Sequence, residues 1–242
     1  MRFDDPLIQG TLVRRYKRFM ADVTLADGSV TTAHCPNSGS MRSVDTPGSE
    51  VWISPTRNPK RVLRHTWEMI RVGDGLVGIN THRPNGLVAE AVAEGAIGEL
   101  TGYDTVRREV KYGKSSRIDL LLETAERPPC YVEVKNVTMR RDLSPSAPAE
   151  FPDAVTQRGT KHLHELAAMV AQGARAVMLY LAQRDDAETL VIATDIDPTY
   201  GRALVEAQAA GVEVLAYRCR LSPEEICVAS QLTVHMPGAA SM

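Results

Sequence analysis

Ser116-Arg117-Ile118-Asp119-Leu120-Leu121-Leu122-Glu123 and Cys130-Tyr131-Val132-Glu133-Val134-Lys135-Asn136 read as neighbouring strands, Arg117 to Glu123 and Cys130 to Asn136, joined across Pro128-Pro129. Each is an apolar run of strand length interrupted by charge. Along the second, the period of two puts Glu133 and Lys135 on one face and Val132 and Val134 on the other. In the first, Asp119 is a lone carboxylate among aliphatic residues, where a charge is costly to bury unpaired. It calls for a partner.

A divalent cation answers that need. Asp119 and Glu133, on adjacent strands, predict a shared Mg²⁺ or Mn²⁺, because a hard ion prefers carboxylate oxygens and keeps several waters. Such an ion activates water against a phosphodiester. Lys135 beside it would orient or deprotonate the water, or offset charge on the phosphate in the transition state. Asp119, Glu133 and Lys135 are therefore the expected catalytic residues, with Asp119 and Glu133 the metal ligands. Asp on one strand followed by Glu-x-Lys on the next resembles the PD-(D/E)XK nuclease superfamily, although the preceding Pro of that pattern is absent. The bland alternative is a surface Glu133-Lys135 ion pair with Asp119 capping a bend.

The elements around these strands fit an α/β sandwich on a central mixed sheet. Leu87, Val88, Ala91, Val92, Ala96 and Leu100 recur at helical spacing after an Asn cap, and Thr105 to Tyr112 is a further strand. A polar stretch, Arg140 to Glu150, reads as a mobile loop. Ala154 to Gln172 is a helix stopped by Gly173, Ala176 to Gln183 a strand buried on both faces, Pro198 to Ala210 a third helix and Val212 to Arg220 a further strand. At the start of the middle helix, Gln157 and Lys161 share a face able to meet phosphate. Arg158 and Lys161 are candidate DNA contacts; His162 and His164 read as surface residues, and Glu90, a candidate further metal ligand, reads more simply with Glu94 as an exposed helical face.

Upstream the pattern is different. Leu7 to Tyr16, Phe19 to Leu25, Val30 to His34, Val51 to Ser54, Trp67 to Val72 and Leu76 to Ile79 are short strands with turns at Asp27-Gly28, Pro47-Gly48 and Asp74-Gly75. Short strands without a long helix predict an oligonucleotide-binding (OB-fold-like) β-barrel. The boundary falls near Pro84, giving a nucleic-acid-binding domain over 1–84 and a nuclease-like domain over 85–242. The fold class is thus mixed α/β.

Charge divides the chain at the same place. Residues 1–84 hold twelve Lys and Arg against eight Asp and Glu, a net of +4, and the remainder holds 16 against 22, a net of -6. The basic residues cluster with aromatics between them, at Arg14, Arg15, Lys17 and Arg18 and at Lys60, Arg61 and Arg64. Such cations neutralise backbone phosphates without regard to sequence, and aromatic rings offer faces to unpaired bases. Phe19 and Trp67 read as core residues. With 43% hydrophobic residues the chain is expected to fold. No apolar run approaches membrane-spanning length, and acids near the N-terminus argue against a secretory signal, so a cytoplasmic protein is expected. Cys35, Cys130, Cys219 and Cys227 lack zinc or disulfide spacing and read as small core residues.

His34-Cys35-Pro36-Asn37-Ser38-Gly39-Ser40-Met41, Asn58-Pro59-Lys60-Arg61, the two strands quoted first, Phe151 to His162, and Val212-Glu213-Val214-Leu215-Ala216-Tyr217 together resemble the sugar fermentation stimulation protein A family over nearly the whole chain. The resemblance implies an oligonucleotide-binding barrel joined to a PD-(D/E)XK-like domain, DNA binding without sequence specificity, and a regulatory role in sugar (maltose) metabolism. Gln157 and Ser38 depart from the residues usual there. The expectation is a DNA-binding protein with a Mg²⁺-dependent nuclease site. A DNA-binding regulator on a silent nuclease fold and an RNA-processing protein are the alternatives. Oligomeric state, a homodimer included, is left open.

Overall fold

Gly28 takes a φ of +83° in the turn between the second and third strands, a conformation that costs a residue with a side chain. Asp27 completes that turn by accepting the Ser29 N–H at 2.9 Å. The computed structural model describes residues 1–113 and 116–238. Its first half is β1 (Ile8–Tyr16), β2 (Met20–Leu25), β3 (Val30–His34), β4 (Glu50–Pro55), β5 (His65–Val72) and β6 (Gly75–Gly78). The sheet runs β3-β2-β1-β4-β5, and a parallel β3–β5 pairing closes it into a five-stranded barrel, with β6 added as a hairpin on β5. Gly10 permits the β1–β2 approach: a Cβ there would sit 2.5 Å from Val23 Cγ1 and 2.7 Å from Thr24 O. Leu12, Val23, Ile53, Trp67 and Ile70 fill the barrel. Phe19 was expected beside them but is 48% exposed, because the β1–β2 turn carries it outward.

The second half contains α1 (Pro84–Ala93), β7 (Thr105–Tyr112), β8 (Ser116–Glu123), β9 (Cys130–Val137), β10 (Ala149–Phe151), α2 (Gln157–Ala171), β11 (Arg175–Ala182), β12 (Thr189–Ile192), α3 (Pro198–Ala209), β13 (Glu213–Leu221), β14 (Ile226–Gln231) and β15 (Thr233–His235). Six strands form a mixed sheet in the order β14-β13-β11-β9-β8-β7. On one face, α1 packs through Leu87 and Val88 against Val132, Val134, Leu179 and Leu181. On the other, α2 and α3 pack through Leu163, Leu166 and Leu204 against Ile118, Met178 and Tyr180. The central strand β11 feeds both cores, which explains its unbroken apolar sequence. Cys35, Cys130 and Cys219 are buried and Cys227 is partly so; all four are free thiols.

Three expectations are corrected. The first helix starts on Pro84, with Arg83 as its N-cap and no side-chain cap. Proline's fixed φ suits that first position, and Asn85 inside the turn is released for other bonds. The helix stops at Ala93 before Gly95, at φ +72°, so Leu100 lies in a separate short turn. Finally, the 140–150 stretch is tied down. Arg140 is 3% exposed and donates to Ala147 O at 3.0 Å and to Asp186 at 2.9 Å. The sequence reading missed β14, which extends the main sheet beyond β13, and β10, β12 and β15, three or four residues each, which form a small sheet of their own.

Candidate functional site

The β8–β9 ladder pairs Leu120, Leu121 and Leu122 with Val132, Tyr131 and Cys130 and then stops, so the strands part at Asp119 while β9 continues beside β11 through Val137. Side-chain alternation slips at the same residue. Ile118 and Leu121 pack on the α2 side of the sheet, Leu120 and Leu122 on the α1 side. Asp119 therefore lies at the fork rather than on a regular face. Its Oδ2 accepts the Val134 N–H at 2.7 Å, and its Oδ1 accepts Asn85 Nδ2 of α1 at 2.7 Å.

Glu133 reaches the fork from the α2 side. It is 2% exposed, and its Oε1 accepts Lys135 Nζ at 2.7 Å and contacts His162 Nδ1 of α2. The two-residue alternation thus places Glu133 and Lys135 together as expected. Arg158 Nε, always a donor, lies 3.3 Å from His162 Nε2. His162 Nδ1 meets both Glu133 Oε1 and, at 3.2 Å, Lys135 Nζ, so the imidazole joins the Glu133–Lys135 pair to α2. Glu133 Oε2, Tyr112 Oη and Glu165 Oε2 are buried without a hydrogen bond.

The two carboxyl groups are driven apart electrostatically. Burial raises Asp119, repulsion from Glu133 adds to this, and the Val134, Lys135 and Asn85 interactions only partly oppose it, leaving the group at about 6. Burial also raises Glu133, but the His162 bond and the Lys135 charge outweigh it, so Glu133 stays below the ordinary carboxylate value. Burial, then the charges of Glu133, Glu165 and Asp119, push the Tyr112 phenol up, so it is a neutral hydroxyl.

A cleft of about 620 Å³ opens beside this fork, lined by Glu109, Arg117, Gln157, Arg158, Lys161 and His162. The predicted contacts Arg158 and Lys161 thus border it, as does Gln157. Lys161 also pairs with Glu165 at 3.6 Å. Among the described residues no three His, Cys, Asp or Glu side chains form a cluster able to hold a metal ion. Donors for a cation are thus Asp119, the orphaned Glu133 Oε2 and water, a set that suits a hard ion retaining much of its hydration.

The barrel cations are scattered over several environments. Lys17 and Arg18 sit exposed at positive φ in the β1–β2 turn, and Lys60, Arg61 and Arg64 are exposed between β4 and β5. Arg14 pairs with Asp22 at 2.9 Å and lies over the Tyr16 ring. Arg15 is bound inward, donating to the carbonyls of Arg18, Asn37 and Gly39. Three site residues escaped the sequence reading. His162 was assigned to the surface but is 3% exposed, whereas His164 is exposed. Asn85 and Glu109 were not singled out; Glu109, at φ +54°, faces Asn85 across 3.4 Å. Polar residues early in a helix were the one available signal. Glu90 is outside the site, paired with the N-terminal amine at 2.7 Å.

Residues 82–225 match the family model described as the sugar fermentation stimulation protein RE domain, and residues 13–79 match the SfsA N-terminal OB domain. The chain belongs to the sugar fermentation stimulation protein family. Relatives of that name are 56% identical in Paramagnetospirillum magneticum, over 98% of each chain, and 57% identical in Rhodospirillum rubrum, over 92% of this chain and 94% of that one. Pyrococcus furiosus SfsA, solved in complex with Ca²⁺, superposes with a TM-score of 0.84 at 25% identity, covering 97% of this chain and 98% of that one. The family resemblance read from the sequence is thus borne out along the barrel and the sheet alike. No helix among the described residues is long and apolar enough to cross a membrane.

Proposed function

We propose that this family member is a cytoplasmic DNA-binding protein with a Mg²⁺- or Mn²⁺-dependent phosphodiesterase site, in which residues 1–84 grip the backbone and residues 85–242 hold the hydrolytic centre. The observation that carries the reading is the buried, unpartnered Glu133 Oε2 at the open fork beside Asp119. A buried carboxylate oxygen with no donor is costly, and a cation is the natural partner. The Ca²⁺ bound by the Pyrococcus furiosus protein supports divalent binding in this fold.

In this reading Asp119 and Glu133 are the ligands. When bound, the cation supplies charge neutralisation at phosphate and lowers the pKa of water. Lys135, held at 2.7 Å by Glu133, places an ammonium at the reacting phosphate, where it offsets developing negative charge. His162 holds the Glu133 carboxylate in one orientation. Arg158 and Lys161 line the cleft as backbone contacts, and Arg14, Arg15, Lys17, Arg18, Lys60, Arg61 and Arg64 extend the basic surface over the barrel. Contacts of this kind bind phosphate without reading bases, so no sequence preference is expected.

A second reading, a DNA-binding regulator of sugar metabolism without catalysis, is favoured by one feature. Glu133 Oε1 is already shared between Lys135 and His162, and among the described residues no third acid completes a cluster. Supercoiled, linear and single-stranded DNA incubated with Mg²⁺ or Mn²⁺ separate the two. Cleavage by the wild type, lost in both Glu133→Ala and Lys135→Ala, supports hydrolysis. Inactivity of all three proteins, with DNA still bound, selects the regulator.

A further inference from the structure

The barrel closes where β3 runs parallel to β5, with His34 opposite Thr66. Over that seam lies a polar cavity of about 320 Å³, walled by the β4–β5 connection, the N-terminal segment and the residues entering α1. It shares no lining residue with the cleft beside Asp119 and Glu133. Two of its three acids, Glu68 and Asp5, are engaged. Glu68, 3% exposed, binds Arg83 through Nε at 2.7 Å and the terminal nitrogen at 2.8 Å, with Asn80 at 3.0 Å and Ser54 at 2.8 Å. Asp5 binds Arg57 at 2.8 Å, and Asp4 on the rim is exposed to water.

What remains is the exposed Arg61 guanidinium at the rim and polar side chains beneath it. Arg61 forms no ion pair among the described residues, and its guanidinium reaches the Thr66 hydroxyl at 3.5 Å. His34 Nδ1 is buried and without a hydrogen bond. Burial, then the charges of Arg61 and His82, hold His34 below its ordinary pKa, which places the three groups in one electrostatic neighbourhood. Arg61 brings a positive charge with no ion-pair partner among the described residues, the imidazoles and the hydroxyl offer neutral polar groups beside it, and Glu68 and Asp5 are already paired, so an anion is the complementary ligand.

We infer that this recess is a phosphate-binding site, formed by Arg61, His34, His82 and the Thr66 hydroxyl. A guanidinium fork matches two oxygens of a tetrahedral anion. The imidazoles and the hydroxyl approach from β3, β5 and the residues before α1, so they meet the other oxygens, which a planar carboxylate lacks. The phosphate comes either from the end of a nucleic-acid strand or from a small phosphorylated molecule. The site stands whether or not the fork at Asp119 hydrolyses anything.

The test titrates the 242-residue protein with inorganic phosphate at low salt, followed by calorimetry and ³¹P line broadening. Saturable binding is expected, weakened about tenfold or more in Arg61→Ala, since a charge-assisted bond contributes about 1.5–3 kcal/mol. His82→Ala, at an exposed position, weakens it less, and His164→Ala, on the exposed side of α2, leaves it unchanged. A 5′-phosphorylated oligonucleotide that binds tighter than its 5′-hydroxyl form, with the difference lost in Arg61→Ala, identifies the strand end as the source. Equal binding of the two oligonucleotides, with phosphate binding still dependent on Arg61, identifies a small molecule. Absence of saturable phosphate binding, or the same affinity in Arg61→Ala and His34→Gln as in the wild type, overturns the assignment.

Discussion

The Val134 N–H donates to Asp119 Oδ2 at 2.7 Å, just where the β8–β9 ladder ends. One carboxylate thereby satisfies a backbone donor that the parting strands leave behind, and at the same time stands at the mouth of the fork. Structure and chemistry converge on that side chain, and its titration should report both.

Asp119 titrates at about 6 in the fold against an ordinary 3.8. Between roughly pH 4 and 6 the native state keeps a proton that the unfolded chain has released, so metal-free stability falls as pH rises through this window, by on the order of 3 kcal/mol. Asp119→Asn, which cannot ionise, should flatten that fall and be the more stable protein at pH 7.5 in the presence of a chelator. Urea denaturation at pH 4.5 and 7.5 measures it. An unchanged pH slope in the variant would remove Asp119 as its cause.

Metal binding must follow the same titration with opposite sign. A cation needs the ionised carboxylate, so it displaces the proton below pH 6 and does not above it. Mn²⁺ affinity is expected to drop by up to about tenfold per pH unit below 6 and to level off above 7. Calorimetry in buffers of different ionisation enthalpy should detect proton release at pH 5.5. A flat affinity from pH 5 to 8 would place the ion elsewhere.

His162 and His164 make a matched pair of controls, two residues apart on one helix. His162→Ala takes away a partner of Glu133 and is expected to lower cleavage or metal affinity by about 10- to 100-fold, the usual cost of removing an outer partner of a metal ligand. His164→Ala, exposed to solvent, should change neither. Equal behaviour of the two variants would dissociate His162 from the site.

Much of this was legible because local rules set it. Glu133 and Lys135 follow from strand alternation alone, and the barrel's turns from Gly28 and Gly48, both at positive φ. What stayed hidden depended on docking. His162 becomes a site residue only because Leu163 and Leu166 seat α2 on the sheet, which turns the first turn of the helix toward β9. Asn85 looked like a cap because Pro84 before it could not be weighed against Arg83 without coordinates. Arg140 looked mobile because its partner, Asp186, is 46 residues away.

The barrel's cations should divide by environment. Arg18→Ala, Lys60→Ala and Arg64→Ala remove exposed charges, so each should weaken DNA binding modestly and reduce the slope of log K against log salt by about 0.9 for every duplex phosphate left without its cation. Arg15→Ala should act mainly on stability, because its guanidinium donates to three backbone carbonyls. Binding curves at salt concentrations from about 50 to 200 mM, with melting temperatures alongside, distinguish the two groups. A full salt slope in the triple variant would move the DNA path off this face.

Barrel and sheet are held together through a buried ion pair at the entry to α1. Glu68 on β5 pairs with Arg83, the residue that caps α1, and both the guanidinium bonds and the Asn80 and Ser54 bonds end on this one buried carboxylate. Removing its charge leaves Arg83 only 22% exposed and without a counterion. Breaking one partner of such a pair typically costs about 3–5 kcal/mol, whereas replacing both with apolar groups costs far less. Glu68→Gln should therefore lower stability to urea by that order, and Glu68→Leu combined with Arg83→Met should recover much of it. A single variant as stable as the wild type would mean that the junction is held by its other bonds, such as the Gly78 N–H to Gln183 O at 2.7 Å, and not by this ion pair.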